Sequence, residues 1–393
     1  MEYFALARYH DDGSLDTSFH GDGKVLTDFP DPGGGRIAAM AIDENDRIVA
    51  GGEVGPNFAL ARYTVDGNLD TSFRGVGSVV TDFRSTEDEH IHALCIDHRD
   101  RIIVAGWADG FMALARYHQD GALDSSFDRD GKVLTNFRST ANESAHAVAI
   151  ARFGDIVVGG TADGKFALAR YHDDGSLDTS FHGDGKILTD FRSTGKEGVR
   201  ALAIDRRGRI VVAGKAETLV GELEAHFALA RYTEDGNLDP TFHGDGKVLT
   251  SFPSPREEET ITGITGLAID DANRIVVGGN AKHNFALARY TEDGNLDTSF
   301  HGDGKVVTDF RSTGFEWIKG LALDYLGRIV VAGIADGKFA LARYIEDGSL
   351  DTSFHGDGKV ITNFRSTDYE GARDIAIDHR GRIVVAGYAM RFN

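Results

Sequence analysis

Residues 4–29 read FALARYHDDGSLDTSFHGDGKVLTDF, and residues 166–191 repeat this stretch with one change, isoleucine in place of valine. The word ALARY recurs seven times, at steps of 54, 54, 54, 61, 58 and 54 residues. It ends at Tyr9, Tyr63, Tyr117, Tyr171, Tyr232, Tyr290 and Tyr344. A fixed period of this kind is typical of proteins built from stacked structural repeats. The sequence therefore predicts seven copies of one unit.

Each unit contains four short runs of residues with strand character. In one copy they are VRALAID at 199–205, RIVVAG at 209–214, FALARY at 227–232 and KVLTSF at 247–252. Their length and their content of β-branched and aromatic residues favour strands over helices. Glycine-containing words such as RRGR, EDGN and HGDG separate them and are typical of tight turns. We expect four antiparallel strands in each unit.

Repeated four-stranded units with small residues in one strand and aromatic residues in the others fit the radial arrangement of a β-propeller. The chain starts at the third strand of a unit and ends at the second, so the N-terminal strands are needed to complete the last blade. We therefore predict an all-β, closed seven-bladed propeller that forms a single domain over residues 1–393. The expected blades are about 36–84, 90–138, 144–192, 198–253, 263–311, 317–365, and 371–393 plus 1–30.

Composition argues against several classes of partner. The chain has 42 Lys and Arg against 62 Asp and Glu, a formal net charge of −20, which repels a nucleic acid backbone. No run approaches the roughly 20 apolar residues of a membrane span. The opening MEYFALARY lacks the charged and apolar regions of a secretion signal. We expect a monomer that binds neither nucleic acid nor the membrane interior.

The string DGSLDTSFHGDGKVLTDF at residues 12–29 resembles the bacterial delta-60 repeat family, and the resemblance extends to all seven units. The resemblance implies a propeller fold. It also favours a secreted or cell-surface location. It implies no particular reaction and supplies no catalytic residues.

Residues present in every copy are expected to serve the blade. The arginine of ALARY interrupts an apolar strand, so we expect it to form an ion pair, for instance with the aspartate of LDTSF such as Asp178. The histidine of FHGDG, as in His20, is expected in a surface turn. The Asp-rich turns lack the bidentate glutamate of an EF-hand loop. No cofactor is expected, with divalent cation binding as the alternative.

A second pattern appears at the start of the innermost strand, counted back from the aspartate that closes it. Eight positions earlier, five units carry Glu89, Glu143, Glu197, Glu316 and Glu370. Five positions earlier, the same units carry His92, His146, Arg200, Lys319 and Arg373. The other two units have neither an acid nor a base at these positions. We expect all ten residues at the mouth of the central channel.

Two interpretations of this pattern remain open: pairs of Glu and a base that anchor each loop, or a polar ring that holds an anionic or sugar-like ligand with Trp317 or Trp107 as an apolar wall. His90, His92 and His146 could also share a metal.

The leading hypothesis for function is a binding or interaction module for a glycan, peptide or small polar molecule, presented by variable loops on one face. One alternative is a hydrolase- or lyase-type enzyme that uses Glu and His at the funnel mouth. Another is a structural repeat module of a larger surface protein.

Overall fold

The computed structural model describes residues 2–29, 34–85, 87–139, 143–191, 197–220, 222–252, 263–281, 283–312, 314–364 and 368–391. These residues form seven sheets of four antiparallel strands, and their one helical element is a 3₁₀ turn at Arg152–Gly154. None of them forms a helix with the length and apolarity of a membrane span.

The chain begins with β1 (Glu2–Tyr9) and β2 (Lys24–Thr27), which belong to the last blade. Blade 1 contains β3 (Gly35–Ile42), β4 (Ile48–Val54), β5 (Asn57–Tyr63) and β6 (Ser78–Thr81). Blade 2 contains β7 (His90–Ile96), β8 (Ile102–Ala108), β9 (Phe111–Tyr117) and β10 (Lys132–Thr135). Blade 3 contains β11 (Ser144–Ile150), β12 (Ile156–Ala162), β13 (Lys165–Tyr171) and β14 (Lys186–Thr189).

Blade 4 contains β15 (Gly198–Ile204), β16 (Ile210–Val220), β17 (Glu222–Tyr232) and β18 (Lys247–Thr250). Blade 5 contains β19 (Gly263–Ile269), β20 (Ile275–Ala281), β21 (Asn284–Tyr290) and β22 (Lys305–Thr308). Blade 6 contains β23 (Trp317–Leu323), β24 (Ile329–Ala335), β25 (Lys338–Tyr344) and β26 (Lys359–Thr362). Blade 7 contains β27 (Tyr369–Ile377) and β28 (Ile383–Met390), followed in the sheet by β1 and β2.

The ring closes as predicted. Strand β1 pairs antiparallel with β28 from Glu2 opposite Met390 to Tyr9 opposite Ile383. Because β1 pairs with β28, the last blade has the same four strands as the others, and β28 is not left as an edge strand. The predicted all-β, closed seven-bladed propeller is confirmed.

The hydrophobic core lies between neighbouring blades. It consists of seven clusters of buried residues, each contributed by two adjacent sheets. One cluster joins Phe4 and Leu6 of blade 7 to Ile37 and Tyr63 of blade 1. A blade therefore buries its apolar faces only when both neighbours are present, which makes stability depend on the complete ring.

Buried ion pairs repeat through the ring. Each ALARY arginine pairs through Nε with the aspartate of LDTSF in its own blade, at 2.6 to 2.8 Å. Its guanidinium carbon lies 4.5 to 4.9 Å from the centre of the following phenylalanine ring. Its Nη1 donates to a backbone carbonyl of the next blade, as Arg343 of blade 6 does to Asp11 of blade 7. The predicted ion pair is confirmed, and it also joins each blade to its neighbour.

Two further hydrogen bonds link every pair of neighbouring blades. The buried tyrosine hydroxyl of one blade bonds a threonine hydroxyl of the blade before it, as Tyr9 does with Thr362 at 2.8 Å. The residue after LDTSF donates its backbone N–H to the next blade, as His20 does to the Asp66 carbonyl at 2.8 Å. His20 is exposed and has a left-handed backbone with φ of 52°, so the surface-turn interpretation is confirmed there.

Replacing Arg116 by Met is expected to lower the free energy of unfolding by about 3 kcal/mol or more, because the buried Asp124 would lose its hydrogen-bonded cation and keep only Arg101 at 3.8 Å. Urea denaturation followed by tryptophan fluorescence measures this loss. Arg206→Gln removes an exposed arginine on a turn and serves as the matched control, with an expected change within about 0.5 kcal/mol. Equal stability of the two variants would contradict the role given to the buried pair.

Candidate functional site

Every innermost strand contains a β-bulge at the same position. The pairing with the second strand skips one residue in each blade, for instance between Ile91 and Ala93 in blade 2. The skipped residues are Ala38, His92, His146, Arg200, Thr265, Lys319 and Arg373. All seven line one cavity at the centre of the ring. We call these seven residues the bulge ring.

Glycines opposite the bulges make the close approach possible. A Cβ added to Gly106 would lie 1.8 Å from the carbonyl oxygen of His90, and the equivalent glycine of every other blade meets the same kind of obstacle at up to 2.2 Å. The word VAG or VGG in the second strand is therefore a sequence signal for the bulge. The spacing of the acids and bases does not reveal this signal.

The cavity has a volume of about 630 Å³. Besides the bulge ring, its polar lining includes Arg36, Glu53 and His90, and Trp317 contributes an aromatic wall. It lies where the innermost strands begin, on the face that carries the connections between β-strands two and three of each blade. Relative to the 54-residue period the sequence has an insertion at 217–226, and it lengthens β16 and β17 to eleven residues each. Most of a second insertion, at 253–265, lies outside the described residues.

The five predicted glutamates do not line this cavity. They are Glu89, Glu143, Glu197, Glu316 and Glu370, and each is at most 4% exposed. Each carboxylate accepts a hydrogen bond from the backbone N–H of the phenylalanine six residues earlier, at 2.7 to 3.0 Å. The backbone N–H of each glutamate donates to a carbonyl of the preceding blade, in the turn between that blade's second and third strands. Each glutamate therefore links two connections: the one that leads into its own innermost strand, and the turn between strands two and three of the preceding blade.

The five predicted bases, in contrast, do meet in the cavity. Glutamate and base were expected to share one surface, but the structure separates them. The two residues between glutamate and base are the first paired residues of the strand, and the base that follows them is the bulged residue, which lines the cavity. The first interpretation expected each glutamate to anchor its loop by pairing with the base, but the carboxylates accept hydrogen bonds from backbone N–H groups. The bases line the cavity, and whether they hold a ligand there remains a prediction.

Three cations of the bulge ring form one arc, contributed by blades 4, 6 and 7. Among the described residues, Arg200, Lys319 and Arg373 have no carboxylate within 4.0 Å, although the arginines of the blade cores are all paired. Lys319 lies 4.9 Å from the Trp317 ring, and Arg373 lies 5.0 Å from the Tyr388 ring. Burial, with Arg373 and Arg200 nearby, lowers the pKa of Lys319 to about 8.

The opposite arc of the ring is formed by two imidazoles. The rings of His92 and His146 stack with centroids 4.5 Å apart. Nδ1 of His92 lies 2.8 Å from the Ala145 carbonyl and donates to it, which leaves Nε2 as an acceptor. Burial lowers the pKa of His92 to about 4, and burial together with His92 and Arg200 lowers that of His146. Both imidazoles are neutral at pH 7.

A separate charged group lies beside the imidazole arc. His90 is hydrogen-bonded to Glu53, and this contact raises the pKa of His90. Arg36 bonds Glu2 at 2.9 Å and lies 3.9 Å from Glu53. Trp107 stacks on His90 with centroids 5.8 Å apart. Sequence reasoning missed Arg36 and Glu53 because each occurs in a single blade.

Two of the three histidines in the proposed metal set of His90, His92 and His146 already have hydrogen-bond partners. His90 is hydrogen-bonded to Glu53, and His92 donates to the Ala145 carbonyl. Across the described ranges, the side chains that come close enough to share a cation are Asp155, His172 and Asp178 of blade 3. His172 lies 3.4 Å from Asp155 and 3.6 Å from Asp178. Divalent cation binding remains a prediction.

Replacing Glu143 by Gln is expected to lower the free energy of unfolding by about 1 to 3 kcal/mol, because the carboxylate accepts backbone hydrogen bonds from Phe137 and Ser139. Chemical denaturation measures the change, and Glu44→Gln in an exposed turn is the control. Unchanged stability of Glu143→Gln would remove the loop-fastening role.

The C2 proton of His92 is expected to titrate with a pKa of about 4 in NMR spectra recorded against pH. His92→Gln identifies the signal by its disappearance. Since the folded pKa lies below the unfolded value, stability contributed by the neutral ring is present above about pH 6.5 and is lost as pH falls toward 4. An apparent pKa near 6.5 would contradict a buried neutral imidazole.

Comparison with known proteins agrees with the fold. Structures with a similar fold include virginiamycin B lyase from Staphylococcus aureus, at 10% identity and a TM-score of 0.56, over 92% of this chain and 97% of that one. A streptogramin B lyase is 8% identical with a TM-score of 0.56, over 99% and 98% of the two chains. A putative 6-phosphogluconolactonase from Bacteroides uniformis is 13% identical with a TM-score of 0.52, over 92% and 97%. At these identities the likeness concerns the fold alone.

No curated protein matches the sequence. A family model described as a β-propeller domain of unknown function, DUF5122, matches seven segments: 2–19, 44–73, 100–127, 154–181, 208–242, 273–300 and 327–354. Most segments run from the turn between strands one and two of a blade to the LDTSF word, so the match follows the repeat rather than the cavity. The chain therefore belongs to a β-propeller repeat family.

Proposed function

We propose that the protein binds a small anionic ligand in the cavity of the bulge ring. The observation that carries this proposal is the arc of Arg200, Lys319 and Arg373, three cations with no carboxylate within 4.0 Å among the described residues. Burial, and after it the nearby Arg373 and Arg200, disfavour the charged form of Lys319 and lower its pKa. An anion in the cavity would supply the missing counter-charge.

The size of the cavity supports a small molecule or the charged end of a larger one. A volume of about 630 Å³ falls within the range of ligand pockets. An anionic sugar or a peptide carboxylate would satisfy both this volume and the charge. The cationic arc would hold the charged group, and Trp317 would contact the remaining part of the ligand.

A second candidate function is lyase- or hydrolase-type catalysis. His146 favours it, because a neutral imidazole beside Arg200 could accept a proton from a ligand held by the cations. The buried glutamates are occupied by backbone N–H groups, so a catalytic role in this cavity would fall to the imidazoles. Loss of turnover in His146→Gln with ligand binding retained would favour this function over binding alone.

The two blades without charges offer matched substitutions. Arg200→Thr and Lys319→Thr reproduce the natural Thr265, and Arg373→Ala reproduces the natural Ala38, so the bulge itself is expected to survive. Each substitution is expected to weaken anion binding about tenfold or more, because a charge-assisted contact contributes about 1.5 to 3 kcal/mol. Isothermal titration calorimetry with inorganic phosphate, sulfate, citrate and acetate measures the affinity.

Arg206→Gln controls for the loss of one positive charge elsewhere on the surface and should leave the affinity unchanged. The proposal fails when none of these anions binds the unaltered protein saturably. It also fails when a variant that combines all three substitutions binds the anions as tightly as the unaltered protein.

A further inference from the structure

We propose that the anion recognised in the bulge ring is a phosphate monoester, a tetrahedral group with two negative charges on a small organic body. This inference rests on the proposed function and specifies its ligand class. It follows from the number, the directions and the surroundings of the cations.

The directions of the cations favour a tetrahedral group. Arg200, Lys319 and Arg373 extend from blades 4, 6 and 7, so they reach the cavity from three sides of its wall. All three nonetheless line the same cavity of about 630 Å³. A carboxylate presents two oxygens in one plane, which a single arginine can engage. A phosphate presents three free oxygens in different directions, one for each cation.

The balance of charge favours a dianion. The carboxylate of the cavity lining, Glu53, is already engaged by His90 and lies near Arg36. A monoanion at the arc would therefore leave two of the three cations uncompensated. Two negative charges remove most of the mutual repulsion among them, and a phosphate monoester carries about 1.5 to 2 negative charges at neutral pH.

The neutral imidazoles complete the site without adding charge. Nε2 of His92 is free to accept a hydrogen bond because Nδ1 donates to Ala145. The Arg200 guanidinium lies 2.8 Å from Nε2 of His146 and so connects the imidazole arc to the cationic arc. Because burial lowers the pKa of both imidazoles, the positive charge that a dianion would balance comes from the three cations of the arc.

The aromatic wall accounts for an organic body. The cavity is larger than a phosphate group alone requires, and Trp317 lines it next to Lys319. Phe315, which is exposed, lies 5.8 Å from Trp317 and extends the apolar surface outward. The ester oxygen would therefore face the rim near blade 6, with the organic group against these rings.

Four aromatic probes separate charge from shape: phenyl phosphate (tetrahedral dianion), phenyl sulfate (tetrahedral monoanion), phthalate (planar groups, dianion) and benzoate (planar monoanion). Titration calorimetry of the full chain at pH 7.5 and low salt should show phenyl phosphate binding at least about tenfold more tightly than each of the other three. The triple variant Arg200→Thr, Lys319→Thr, Arg373→Ala should bind all four with the same weak affinity, while Arg206→Gln keeps the order.

The outcomes distinguish this inference from the proposed function. Equal affinity for phthalate and phenyl phosphate would show that charge alone decides, and equal affinity for phenyl sulfate would show that shape alone decides. Either result would overturn the inference that the ligand is a phosphate monoester, but it would leave the proposed anion binding intact. Tighter binding of benzoate overturns it too. Failure of all four probes, together with failure of the simple anions, removes the proposed function itself.

Discussion

The fold depends on a buried arginine that holds three parts of the structure at once. In each blade the guanidinium pairs with the aspartate of the LDTSF word, as Arg116 does with Asp124. It also lies against a phenylalanine ring and donates to a backbone carbonyl of the next blade. A buried charge is tolerated only when its hydrogen-bonding groups are satisfied, so these contacts fix the distance between neighbouring blades. Repeated around the ring, from Arg8 to Arg343, they join each blade to the next, and the pairing of β1 with β28 closes the circle.

A ring held at its core by these contacts leaves the innermost strands free to depart from regular pairing. The bulge breaks the ladder at the same point in all seven blades, and the glycine opposite it removes the steric obstacle. The backbone feature is therefore common to all blades, whereas the side chain at the bulge differs among them. This division explains why five blades carry a base there while Ala38 and Thr265 occupy the other two positions without disturbing the sheet.

The sequence predicted the parts of the structure that repeat. Seven copies with turn words at fixed spacing determine the blades, and an arginine in an apolar strand requires the aspartate that pairs with it. The site was predicted in part, because counting positions located His92, His146, Arg200, Lys319 and Arg373 but grouped them with the glutamates. Residues three positions apart in a regular strand point to opposite faces, so the spacing itself gave no reason to place glutamate and base on one surface. The roles of Arg36 and Glu53 required three-dimensional contacts between blades.

The charge of the whole chain and that of the cavity have opposite signs, and this contrast bears on selectivity. A net charge of −20 repels anions at a distance, but screening limits this repulsion to about 8 Å at physiological ionic strength. Inside the cavity the field comes from the nearby cations of blades 4, 6 and 7, where solvent screens less. An anion that makes only weak contacts in the cavity gains too little binding free energy to offset the repulsion it meets on approach. Under the proposed function, the negative surface would disfavour weakly held anions, and the arc would hold a ligand whose oxygens engage several cations together.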